Sequence, residues 1–213
     1  MGYFKMFIGY FSLANTITLL GLASSVVAIF CSSQKMYPLA VVMLLIAGLC
    51  DMFDGRIARV AASRAKREKI YGVQLDSLAD VISFGVVPAL IAYNMGYRDV
   101  LDLILYIFFI VCGAIRLAYF NTQALSDTPD LNMKYFTGVP IPVSCVLLPF
   151  LILISMLIDN LAVTSWIFRI FFLLLGVAYI LKIRIRKFGL KTLATAAVFD
   201  IACLIAIALL NSK

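Results

Sequence analysis

An all-α fold, a polytopic membrane helical bundle, is what this chain predicts: about six core transmembrane helices plus a C-terminal one, with an N-terminal amphipathic helix. Three observations carry that expectation. Of the 213 residues, 64% are hydrophobic and the mean hydropathy is +1.06, whereas a soluble domain is about half apolar. Apolar runs of roughly 20 residues, the length that crosses a bilayer as a helix, recur along the whole sequence. Lysine and arginine gather between those runs, the bias that topology imposes on membrane proteins. The length fits a single domain, 1–213, with 1–12 as a juxtamembrane segment.

That segment is the first element. Tyr3, Phe4, Phe7, Ile8 and Phe11 recur at helical spacing, which suits a helix lying flat on the membrane surface; a plain extension of the first span is the alternative. The first apolar run is long enough to span and has no clear cleavage site, so it does not read as a signal peptide. The candidate spans are 14–32, 37–60, 72–95, 100–122, 137–158, 161–182 and 192–211. Pro140 and Pro142 shape the start of the fifth, with neighbours satisfying the freed backbone groups. With the N-terminus in the cytoplasm, 14 of the 18 basic residues face inward, Lys35, Arg98 and Lys213 face outward, and Arg169 is intramembrane. This topology predicts a multi-pass protein of the cell (plasma) membrane. Asp200 near the middle of the last span reads as a polar contact with a neighbouring helix or a packing device in an oligomer.

Composition excludes several chemistries. There is no histidine, which removes Ser-His-Asp and Cys-His catalysis and any His-ligated zinc or haem. Cys31, Cys50, Cys112, Cys145 and Cys203 lie in apolar runs without a C-x-x-C pair and read as small buried hydrophobes. The net charge of +7 belongs to cytoplasmic loops and anionic headgroups rather than to nucleic acid.

Against this background four of the eleven acidic residues fall in two short stretches, Asp51-x-x-Asp54-Gly55-x-x-Ala58-Arg59 and Gly72-x-x-x-Asp76-x-x-x-Asp80. Carboxylates beside or inside a bilayer are costly and mark functional sites. Asp51 and Asp54 are three apart and Asp76 and Asp80 four apart, so each pair shares a helix face. The short connection between the stretches lets the two helices pack antiparallel and brings the four carboxylates together, all at the cytoplasmic ends of the second and third spans. Such an oxygen cage suits hard cations such as Mg²⁺ or Mn²⁺, and without them the carboxylates repel one another. Gly55 and Ala58 leave the helix backbone open to a ligand, and Arg59, one turn on from Gly55, offers paired donors to a phosphate. Gly72 serves either close helix packing or ligand access. Metals, small residues and an arginine together describe a diphosphate site; the bland alternative is a chance alignment of charges at loop ends.

The pattern D-x-x-D-G-x-x-A-R…G-x-x-x-D-x-x-x-D, filled at every position by Asp51, Asp54, Gly55, Ala58, Arg59, Gly72, Asp76 and Asp80, resembles the signature of the CDP-alcohol phosphatidyltransferases. Twelve residues separate Arg59 from Gly72, more than in many members, and this spacing resembles the branch that makes phosphatidylserine. The stretches 50–59 (CDMFDGRIAR), 72–88 (GVQLDSLADVISFGVVP), 116–121 (RLAYFN) and 136–142 (FTGVPIP) are similar to that branch as well. The resemblance covers residues 15 to about 187.

It implies that CDP-diacylglycerol and L-serine give phosphatidylserine and CMP, with two divalent cations as cofactors. It implies that Asp51, Asp54 and Asp76 hold the first cation, that Asp51, Asp76 and Asp80 hold the second, and that Asp80 is also the general base for the serine hydroxyl. Gly55, Ala58, Arg59 and Gly72 line the CDP-diacylglycerol site by the same resemblance, with Asn15, Thr16 and Thr18 on the first span near the nucleotide. It further implies a homodimer.

The serine site is read from residue chemistry. A zwitterion needs a cation for its carboxylate, and Arg116 at the end of the fourth span supplies one; an anchor at the membrane surface is the other reading. Asn121, Gln74 and Ser83 are polar groups available to line that pocket. The basic run over 64–69 either attracts the charged donor lipid or is a solvated loop. Two rival functions remain at this stage. Transfer to glycerol 3-phosphate or an inositol phosphate would call for a denser basic pocket. A divalent-cation transporter would also place carboxylates in a membrane, but gives no role to Gly55, Ala58 and Arg59.

Overall fold

The structure is a computed structural model that describes residues 8–60, 65–124, 135–158, 160–182, 184–186 and 190–211. Helices run in the order α1 (Leu13–Ser33), α2 (Tyr37–Val60), α3 (Lys66–Asp80), a π-helical turn (Val81–Val86), α4 (Val87–Asn94), α5 (Val100–Ala124), α6 (Val143–Leu157), α7 (Leu161–Ile180) and α8 (Leu190–Asn211). The π turn joins α3 to α4 as one rod, Lys66–Asn94, and five of the rods are long and apolar enough to cross a membrane. Two shorter apolar helices, Val143–Leu157 and Thr195–Leu210, complete the bundle.

Local chemistry fixes the ends. Ser12 caps α1, its hydroxyl accepting from the Asn15 amide at 3.3 Å, and the Asn160 side chain caps α7 by accepting from the amides of Ala162 and Val163 at 3.1 and 3.2 Å. Each satisfies donors that a helix start otherwise leaves open. A tight turn through Lys35, whose φ is 60°, folds α1 and α2 into a hairpin. At Gly21 a β-carbon would lie 2.8 Å from the Cys50 Cβ, so the absence of a side chain lets these two helices meet face to face.

Leu44, Phe84, Phe109, Leu148, Ile152, Phe168 and Phe172 form the dry interior where the rods cross. Leucines, isoleucines and valines on the outer faces remain exposed, as expected of a surface solvated by lipid. The five cysteines are free, and Cys31, Cys112, Cys145 and Cys203 are buried.

Three expectations are adjusted. The third span begins at Lys66, earlier than residue 72, because the charged residues Lys66, Arg67, Glu68 and Lys69 extend the helix beyond its apolar run. The fifth begins at Val143 rather than 137: Pro140 and Pro142 lack amide donors, and Tyr135–Thr137 instead forms a strand, β1, antiparallel to β2 (Arg184–Arg186). The amphipathic helix expected over 1–12 does not include residues 8–12, which are irregular, with Gly9 at φ 129°; residues 1–7 of that element lie outside the described residues.

Candidate active site

α2 and the α3 rod carry the carboxylates, and α1 closes the third side. Side-chain oxygens of Asp51, Asp76 and Asp80 all lie within 4.8 Å of one another. The carboxyl groups of Asp51 and Asp80 are in hydrogen-bond contact. Asp54, only 5% exposed, stands at the edge of this trio and accepts a hydrogen bond from the Thr18 hydroxyl at 2.5 Å. The three- and four-residue spacings therefore do bring Asp51, Asp76 and Asp80 together, with Asp54 beside them in the same cleft, on two helices that both pack against α1.

The donor set fits divalent cations. It consists only of carboxylate oxygens, the ligands hard cations prefer. One buried oxygen, Asp76 Oδ1, has no hydrogen-bond partner, although buried polar atoms are nearly always satisfied. None of the four forms an ion pair among the described residues. A cluster of this kind is a ligand set lacking positive charge.

Beside it lies a small open cleft lined by Thr18, Gly21, Ala47, Asp51, Asp54, Ala79, Asp80 and Ser83 among others. A β-carbon placed on Gly55 would find nothing within 4 Å, so the helix surface beside Asp54 is open. Ala58 is exposed on the same helix. The side chain of Arg59 lies outside the described residues. Gly72 serves packing: a β-carbon there would come within 3.3 Å of the Asn15 Oδ1. Asn15 in turn donates to the Tyr10 carbonyl at 2.6 Å, and Tyr10 packs on Tyr71 with ring centroids 5.5 Å apart. The segment before α1 is thereby pinned to α3 beside the cluster.

Of the residues named from the sequence, Thr18, Asp51, Asp54, Asp80 and Ser83 line the cleft, and two others are turned away from it. Thr16 is exposed, its hydroxyl donating back to the Ser12 carbonyl at 3.0 Å; on a helix it points away from the face that carries Asn15 and Thr18. Gln74 is exposed on the side of α3 away from Asp76 and Asp80. Of the acceptor-side candidates, Ser83 lines the cleft and receives the Ser25 hydroxyl at 2.7 Å. Asn121 accepts from the Ser77 hydroxyl at 2.9 Å, tying α5 to α3 next to Asp76. Arg116 is 7% exposed, with its guanidinium carbon 4.5 Å from the centre of the Phe120 ring.

Sequence reasoning missed the π turn that follows Asp80. It frees a backbone carbonyl, and the Ser144 hydroxyl of α6 donates to that carbonyl, on Phe84, at 2.7 Å. Such turns interrupt the regular ladder and recur at functional sites. Gly85 within the apolar run was the one available signal.

The bundle and cluster define a class: a polytopic membrane protein with a carboxylate-lined polar cleft in its helical core. Residues 11–178 match the family model described as CDP-alcohol phosphatidyltransferase, and the chain belongs to that family. It is 34% identical over 181 residues to a protein of Helicobacter pylori (strain ATCC 700392 / 26695) named CDP-diacylglycerol–serine O-phosphatidyltransferase, covering 82% of this chain and 71% of that one. A yeast (Saccharomyces cerevisiae) protein of the same name is 41% identical over 107 residues, 48% of this chain and 37% of its own length. An archaetidylserine synthase of Methanothermobacter thermautotrophicus is 32% identical over 146 residues, 67% of this chain and 58% of its own.

Proposed function

We propose that this protein is a phosphatidylserine synthase: it transfers the phosphatidyl group of CDP-diacylglycerol to the hydroxyl of L-serine and releases CMP. The observation that carries the reading is the convergence of Asp51, Asp76 and Asp80, with oxygens within 4.8 Å, beside a helix surface left open at Gly55. The names of the relatives support serine as the acceptor.

In the reaction a bond forms between the serine hydroxyl oxygen and the lipid-side phosphorus, and the bond from that phosphorus to the CMP oxygen breaks. Asp80 takes the hydroxyl proton; a neutral hydroxyl is a poor nucleophile until a base removes it. The packing of α6 on the π turn, through Ser144 and the Phe84 carbonyl, holds Asp80 against Asp51. Thr18 orients the Asp54 carboxylate by its hydrogen bond. Gly55 and Ala58 admit the diphosphate to the α2 backbone, and Arg59 supplies paired donors to it. Arg116 receives the serine carboxylate, and Ser83 and Asn121 are the polar groups available to its ammonium and hydroxyl. Asp51, Asp54 and Asp76, and Asp51, Asp76 and Asp80, would hold two divalent cations, Mg²⁺ or Mn²⁺, which when bound would neutralise the charge that spreads over the phosphate oxygens. The bias of lysine and arginine supports a cytoplasmic face for this end of the bundle; in the plasma membrane a water-soluble amino acid would there meet a lipid donor.

The test is CMP release from CDP-diacylglycerol by the purified protein with serine, glycerol 3-phosphate and an inositol phosphate, each with and without Mn²⁺ or Mg²⁺. Release with serine and a divalent cation is expected. Release with a phosphorylated polyol and none with serine would overturn the acceptor, and metal flux in vesicles without lipid product would overturn the enzyme reading altogether.

A further inference from the structure

The connection between α5 and α6 bears on how Arg116 is held. Gly138 follows β1 directly, is buried, and has φ 75°, a left-handed conformation that residues with a side chain rarely adopt. A β-carbon there would come within 2.5 Å of Arg116 Nη1 and 3.1 Å of the Leu181 carbonyl oxygen. The guanidinium therefore occupies the space a side chain would take, and the Phe120 ring supports it at 4.5 Å. The turn itself is fixed from α7 and α5. The Tyr179 hydroxyl donates to the Ile141 carbonyl at 2.8 Å, and Ile141 Cδ1 lies 3.0 Å from where a β-carbon on Gly113 would be.

Depth along the bundle puts Arg116 level with the reacting end. α3 and α5 run antiparallel and are tied at Ser77 and Asn121. Counting inward from that bond at about 1.5 Å per residue, Asp80 and Arg116 stand within about 3 Å of the same depth.

From these contacts we infer that Gly138 is a positioning residue for the acceptor: its bare, left-handed backbone seats the Arg116 guanidinium against Phe120, so that it meets the carboxylate of an amino-acid acceptor. This rests on the reading of Arg116 given above and names the element that sets its place. Substituting Gly138 displaces the guanidinium and leaves the carboxylate cluster and the diphosphate face intact.

The test uses the full-length protein in detergent. Gly138→Ala is expected to raise the KM for serine about tenfold or more, the scale of one misplaced charge-assisted contact, while the KM for CDP-diacylglycerol stays within about twofold. The serine concentration that raises the melting temperature shifts upward in parallel. A merely structural role would lower the amount of folded enzyme and kcat, not split the two KM values. Arg116→Gln separates the two levels. If Arg116→Gln raises the serine KM and Gly138→Ala does not, the inference about Gly138 fails and the reading of Arg116 stands. If Arg116→Gln leaves the serine KM unchanged, the reading of Arg116 fails and takes the inference with it. Should Gly138→Ala not fold, Phe120→Leu, which removes the supporting ring without adding an atom, must raise the serine KM; an unchanged value overturns the proposal.

Discussion

The two ends of the bundle treat buried aspartates in opposite ways. At the end away from the cluster, Asp102 is 2% exposed and receives Arg169 Nε at 2.6 Å. Asp99 receives Arg169 Nη2 at 2.5 Å, the Asp99 amide donates to Asp102 at 3.0 Å, and the Trp166 ring lies 5.0 Å from the guanidinium. Each of these three charges has a partner within the protein. At the other end three carboxylates crowd within 4.8 Å, one oxygen has no partner, and no cation from the described residues answers them. Burying charge is costly unless it is paired. The chain meets that cost internally where the aspartates are structural. Asp200 is buried with one oxygen unpartnered and stands alone; only in the cluster do several carboxylates share one site, and there a bound cation would supply the charge.

The comparison can be broken by variants at either end. The largest effect is expected from Asp80→Asn, which removes the proposed base: kcat should fall about 10³-fold, within the span general bases contribute, with the melting temperature in detergent unchanged or higher because one of several repelling carboxylates is gone. A small fall in kcat would assign the base elsewhere. At the opposite end Arg169→Met leaves Asp102 buried without its partner, which should cost about 3 kcal/mol of stability while kcat per folded molecule is kept; pairing it with Asp102→Leu should recover most of the loss. If Arg169→Met instead abolished turnover without changing stability, the two ends would not differ as described.

Divalent cation should stabilise only through the cluster. Saturating Mn²⁺ at about 100 times its dissociation constant should add about 2.7 kcal/mol, a rise in melting temperature that chelation reverses and that Asp51→Asn or Asp76→Asn abolishes. An equal rise in those variants would place the cation elsewhere. The smallest effect is expected from Thr18→Val. Losing one hydrogen bond to a charged carboxylate costs about 1.5 kcal/mol, read as a rise in the KM for CDP-diacylglycerol, with serine less affected.

Much of this was legible in the sequence for a physical reason. Asp51, Asp54, Asp76 and Asp80 stand out because ionisable residues are scarce in apolar runs, and helical periodicity alone puts each pair on one face. Among the described residues the seven apolar runs became helical rods, five of them long and apolar enough to cross a membrane, because a bilayer demands length and internal hydrogen bonding. What periodicity could not show were contacts between elements far apart in the chain. Asp102 and Arg169 are 67 residues apart, and Arg169 read simply as an intramembrane charge. Ser25 and Ser83, Ser77 and Asn121, and Ser144 and the Phe84 carbonyl are joined by polar groups too common in membrane helices to signal a pairing. Thr16 and Thr18 looked equivalent because the resemblance was to a segment, whereas the two-residue offset turns one hydroxyl outward and the other onto Asp54.

Residue type, spacing and hydropathy thus determined by themselves the membrane bundle, the carboxylate cluster and the family. These depend on local periodicity and on the cost of burying charge, both of which are written along one dimension. Only the tertiary structure decided which polar groups support the cluster, that Gly72 packs on Asn15, and that Gly138 makes room for Arg116. Those are steric and hydrogen-bonding facts between separate helices, and they exist only once the rods have been brought to a particular depth and rotation against one another.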